Sequence, residues 1–203
     1  MTNKEGRWPP KHCDMPDLSE ESDKKILFHL LNVFFTGGGP SDYQAAAFSR
    51  NFIRLCDQAT KEYELARQAL MEQVSTPNNV MSPLFQAAGH FEQCISAIRR
   101  AIRFSRHKKG PRLPRTEVLS DRVEKKLRDM RDAIEHTDSR IRKGQIVDGD
   151  PIMLMVKSDS IELGGVEIYY DELARWIKQL NGLAEVVARY REEGKEQTTR
   201  QTG

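Results

Sequence analysis

In the stretch RDAIEHTDSRI, residues 131–141, three side chains stand at spacings that could do chemistry: Arg131, Asp132 and His136. Histidine has an unperturbed pKa near neutrality, so it can take up or release a proton at working pH. Arginine keeps its charge and offers paired N–H donors that match carboxylate or phosphate oxygens. Asp132 precedes His136 by one helical turn. From there it could accept a hydrogen bond from one ring nitrogen and leave the other free. The chemistry this trio suggests is proton transfer beside a bound oxyanion.

The element that must position them is a helix. Val123, Leu127, Met130, Ile134, Thr137 and Ile141 recur in steps of four and three, a bundle-type seam. Stepping about 100° per residue, Arg131 falls on one flank of that seam and His136 well off it on the other side, about 140° apart. The two do not converge on one small group within a regular helix. A shared site therefore needs a local distortion or a second copy of the helix across a two-fold axis. The competing reading is a charged helix carrying a solvated, incidental histidine.

The rest of the 203-residue chain supplies the frame. Residues 1–18 are polar and punctuated by proline, and are expected to form a flexible arm. A single domain is expected over 19–192. Its first helix runs from Ser19 to Thr36, and GGGPSD closes it, with Ser41 or Asp42 capping the next. A second helix over about 43–74 carries Phe52, Cys56, Ala59, Tyr63, Ala66 and Leu70 inward. Ser82-Pro83 reads as a cap and first turn of a third helix with Leu84, Ala88, Phe91, Ile95, Ile98 and Ile102 on its core face. The fourth helix starts near Ser120 and stops at Lys143-Gly144. The period then changes to that of a small β-hairpin over about 152–169. Asp171 caps a last helix, and the polar tail over 193–203 is expected to be disordered. The fold class is all-α: an antiparallel bundle of about five helices with a small β-hairpin inserted before the last.

Net charge is +2, which by itself points to no partner, but the charge is unevenly placed. Residues 93–116 contain no acid and eight lysines or arginines. Arg99, Arg103 and Arg106 are spaced along one helix face, and Lys108, Lys109 and Arg112 extend it into a loop. Such a tract suits the phosphates of RNA; the alternative is a solvated helix end whose cations favour the helix dipole. Three widely spaced cysteines without a CxxC pair support neither zinc nor redox chemistry. His29, His90 and His107 lack helical metal-ligand partners, so neither a metal nor a cofactor is expected. The N-terminus lacks the apolar core of a signal peptide, and glycine and proline break the longest uncharged run. A cytoplasmic location without a membrane partner is expected.

The segment RDAIEH, Arg131 to His136, resembles the R-x4-H signature of the HEPN superfamily, with Asp132 in the polar place after the arginine. The setting, a late helix of an all-α bundle with a further helix after it, is similar too. The resemblance covers the chain from about Tyr43 onward, and its specific part is those six residues. It implies a helical bundle that dimerises across the fourth helix. It further implies a metal-independent endoribonuclease, of the kind found among toxins and phage-defence effectors, with a cognate antitoxin as a partner. Under it, Arg131 clamps the phosphate, His136 acts as general base or acid, and Asp132 orients the imidazole while the 2′-hydroxyl attacks phosphorus. The hairpin lies outside the family's minimal core. The alternative within the family is an inactive dimeric binding or scaffold protein, and outside it an unrelated helical interaction protein.

Overall fold

The computed structural model describes residues 9–22, 43–76, 81–145 and 152–201, with side chains in the last helix as far as Ala188. Those residues form α1 (Ser19–Ser22), α2 (Tyr43–Ser75), α3 (Ser82–Arg106), a 3-10 turn (Glu117–Leu119), α4 (Asp121–Arg142), β1 (Met155–Val156), β2 (Ser160–Leu163), β3 (Val166–Tyr169) and α5 (Tyr170–Gln201). The architecture is the expected all-α bundle with a small antiparallel sheet before the last helix. The remainder of the first helix and the Ser41 or Asp42 cap lie outside the described residues.

Helices α2 and α3 pack antiparallel along their length, because each presents its apolar side chains every three or four residues to the other. Phe52, Tyr63 and Leu70 of α2 and Phe91, Ile95, Ile98 and Ile102 of α3 are fully buried there. Across that seam the Cys94 thiol donates to the Ala59 carbonyl, and the His90 ring lies 2.8 Å from the Glu62 carboxylate. Helix α5 closes the core with Trp176, Ile177 and Leu180. It is tied to α2 by a buried hydrogen bond from Asn181 Nδ2 to Thr60 Oγ1 at 3.0 Å.

Residues 9–18, expected to be a flexible arm, are instead laid against α2. Met15 and Leu18 are buried, the Leu18 amide donates to Glu64 at 2.6 Å, and the Tyr63 hydroxyl donates to the Pro16 carbonyl. Two apolar anchors and satisfied backbone groups hold a segment that its prolines keep out of a helix. Helix α3 also departs from expectation at its start. Met81 is the cap, without a side-chain hydrogen bond, and Ser82 already belongs to the first turn beside Pro83. Asp171 likewise lies in the first turn of α5 rather than capping it. The helical backbone of α5 continues as far as Gln201, through most of the stretch expected as a disordered tail.

The start of α4 is fixed from two sides. Ser120 caps it by accepting from the Val123 amide. Ahead of it, the Val118 amide donates to Gln179 of α5 at 2.9 Å, and Arg175 of α5 donates to Glu117 at 3.0 Å. Lys126, 2.6 Å from Glu172, adds a third link to α5. Strands β2 and β3 pair with Ser160 opposite Tyr169 and Leu163 opposite Val166; β1 pairs on the other edge of β2.

Candidate functional site

Arg131, Asp132 and His136 all lie on α4, and the structure places the arginine and the histidine on different sides of it. Arg131 comes two turns after Glu124, which binds Arg106 at the end of α3, so Arg131 belongs to the flank that faces α3. His136 belongs to the hairpin flank. The β2–β3 turn rests there: a Cβ added at Gly164 would lie 2.9 Å from the Ala133 Cβ and 3.5 Å from an Arg140 guanidinium nitrogen. His136 follows Ala133 by three residues and precedes Arg140 by four. Its exposed imidazole therefore stands at the rim of that turn.

Gly164 is what lets the turn sit so close. Its φ is +60°, in the left-handed region, and the following Gly165 is at +76°. A side chain at Gly164 meets α4; one at Gly165 meets open space.

Each charged group has a definite surrounding. Arg131 is half-buried and forms an ion pair with Glu135, its i+4 neighbour. Asp132 is half-buried, yet the hydrogen bond expected between it and the His136 ring is not made. Among the described residues neither side chain has a hydrogen-bond or ion-pair partner. The site in one chain thus consists of a paired guanidinium on one flank and an unpaired, solvent-facing imidazole on the other. The chain alone does not bring them to one atom.

The basic tract divides in the same way. Arg106 points at α4, forming ion pairs with Asp121 at 3.0 Å and with Glu124, and donating to the Leu119 carbonyl at 2.6 Å. Its charge is spent on joining α3 to α4. Arg99 is half-buried, with its Nε atom enclosed and without a hydrogen bond. Arg103, Lys108 and Arg112 are exposed and make no ion pair among the described residues. The Lys109 amide donates to His107 Nδ1 at 3.2 Å, and the His107 ring stacks on Phe48 at 4.1 Å. That stack went unread in the sequence because its two rings lie far apart in the chain. The Glu135 pairing was legible from the i+4 spacing alone.

Among the described residues no group of three or more His, Cys, Asp or Glu is placed to hold a metal ion. None of the described helices is long and apolar enough to cross a membrane. No family model matches the chain, and neither a curated protein nor a solved structure shows significant similarity to it.

Proposed function

We propose that the chain works as a HEPN-like homodimer joined across α4, in which Arg131 and His136 from two copies form a metal-independent endoribonuclease site. The observation that carries this reading is the exposed His136, without a partner among the described residues, on the outward part of a helix whose Arg131 lies on the opposite flank. A two-fold axis along that helix is the simplest way to bring one flank of one copy to the other flank of its mate. The ion pair that holds Arg131 does not oppose it. A surface i,i+4 pair contributes only about 0.3–0.5 kcal/mol, so an RNA phosphate, whose oxygens accept from the paired guanidinium N–H groups, displaces Glu135 readily.

In this reading Arg131 holds the phosphate and stabilises the charge that builds on its oxygens. His136 takes the 2′-hydroxyl proton, the hydroxyl oxygen attacks phosphorus, and the 5′-oxygen of the next nucleotide leaves with the proton that the imidazolium returns to it. The product is a 2′,3′-cyclic phosphate.

The second reading is an inactive dimeric binding or scaffold protein, and the Arg131–Glu135 pair is what favours it. RNA incubated with the chain in EDTA at low salt separates the two. Cleavage that leaves cyclic-phosphate ends supports the nuclease. Intact RNA beside a stable dimer supports the scaffold.

A further inference from the structure

We propose that the corner where α3 ends is a binding site for single-stranded nucleic acid, separate from the α4 pair and independent of whether α4 cleaves. Two kinds of group lie at this end of the bundle: cations without a carboxylate partner among the described residues, and an exposed aromatic ring.

The cations come first. Several basic side chains of the described surface find acids: Lys61 with Asp57, Arg67 with Asp17, Lys126 with Glu172, Lys157 with Glu162 and Glu167. Others, such as Lys125, Lys143 and Lys178, do not among the described residues, and what sets the tract apart is that residues 93–116 contain no acid at all. Along the tract, Arg100, Arg103, Lys108, Arg112 and Arg115 are exposed and have no such partner among the described residues. The helix dipole accounts for cations in the last turn of α3, hence for Arg103 and Arg106, but its effect fades beyond one turn. Lys108, Arg112 and Arg115 lie past the helix end and Arg100 lies well before it.

The loop that carries them has a fixed path. The Gly110 amide donates to the His107 carbonyl at 2.7 Å, and a Cβ at Gly110 would sit 2.2 Å from the Phe104 carbonyl oxygen. The chain folds back against the last turn of α3, which holds Lys108 and Arg112 on either side of that contact.

The ring is Tyr43. Phe48 packs on Phe104 at 5.3 Å and on His107 at 4.1 Å, so the start of α2 lies at the end of α3. Tyr43 is five residues earlier, about 7.5 Å further along the axis and roughly 140° round it from the Phe48 face. It is 79% exposed. A run of cations to track a phosphate backbone, with an exposed ring at the same end of the bundle on which a base can stack, suits a single strand. A membrane surface would want apolar side chains to insert, and the tract's Leu113 is packed against the core instead.

The test is fluorescence anisotropy of a fluorescein-labelled oligouridylate with the full-length H136A chain in EDTA, so that binding is read apart from cleavage. Three variants are compared: R103E/K108E/R112E, Y43A, and K125E/R142E/K143E as a control of equal charge change on α4. All are checked by circular dichroism for an unchanged fold. The site predicts affinity that falls with salt and is weakened at least about tenfold by the tract variant. The slope against log salt should drop by about 0.7 for each phosphate contact removed. Y43A should weaken the single strand while leaving a duplex of the same length unaffected. Equal loss in the control, no loss in the tract variant, or preferential binding to phosphatidylserine vesicles would overturn it.

Discussion

Arg131 and His136 are five residues apart, and that spacing sets the whole functional question. On a regular helix it sends one side chain toward α3 and the other toward the hairpin turn. Glu135 then becomes the natural partner of Arg131 within the chain. Replacing Glu135 with Gln should cost no more than about 0.5 kcal/mol in urea unfolding, because the pair is at the surface. The same change should leave cleavage intact or raise it, since it frees the guanidinium. A loss of cleavage would mean that Glu135 itself takes part. His136→Ala should lower the cleavage rate by about 10²–10⁴-fold, the usual contribution of a positioned acid or base. Asp132→Asn should have a much smaller effect, since Asp132 does not hold the ring. At this scale the sequence showed which residues to watch and the angle between them. It could not show that the Asp132–His136 hydrogen bond is left unmade, because i,i+4 spacing permits a contact without requiring it.

At the scale of elements, helical periodicity carried most of the fold, since a buried face must repeat wherever helices pack. Every residue named for the inner faces of α2 and α3 is buried. The seam of α4 is regular in sequence to its end, yet burial fades along it. Val123, Leu127 and Met130 are buried, Ile134 and Thr137 half-buried, and Ile141 is 50% exposed. Spacing reports which face is apolar, whereas cover depends on how far the neighbouring elements reach. The packing of residues 9–18 leaves no sign in the sequence for a related reason: two isolated anchors, Met15 and Leu18, make no periodic pattern. The turn between β2 and β3 makes a sharp test of how the hairpin is seated. Gly164→Ala should destabilise by more than the roughly 1–2 kcal/mol of a left-handed alanine, because it also meets Ala133. Gly165→Ala should cost only the backbone term. Equal losses in chemical denaturation would show that the turn does not rest on α4. The 3-10 turn offers a pH test. The Arg175 guanidinium holds the Glu117 carboxyl below its usual range. A lowered folded pKa adds stability above the unfolded value of about 4.5, and that stability is lost as pH falls through the folded value. Glu117→Gln should therefore flatten the acid limb of stability against pH below about 4.5, and leave the slope above it unchanged.

For the whole molecule the central claim is that the site is shared. One chain separates its arginine from its histidine, and in the proposed dimer a second copy would supply what the first holds out of reach. The sequence raised this requirement through an angle, and the structure sharpened it by placing α3 on one flank and the hairpin turn on the other. The most direct test mixes two inactive variants. Arg131→Ala and His136→Ala are each purified, shown to be folded and dimeric, combined, allowed to exchange subunits, and assayed on RNA in EDTA. A hybrid dimer then retains one arginine and one histidine, on different chains. The shared site predicts that the mixture regains cleavage well above either variant alone, approaching about a quarter of wild type if hybrids form statistically and one of two sites is restored. A mixture as inactive as its components, with hybrid dimers demonstrably present, would contradict it.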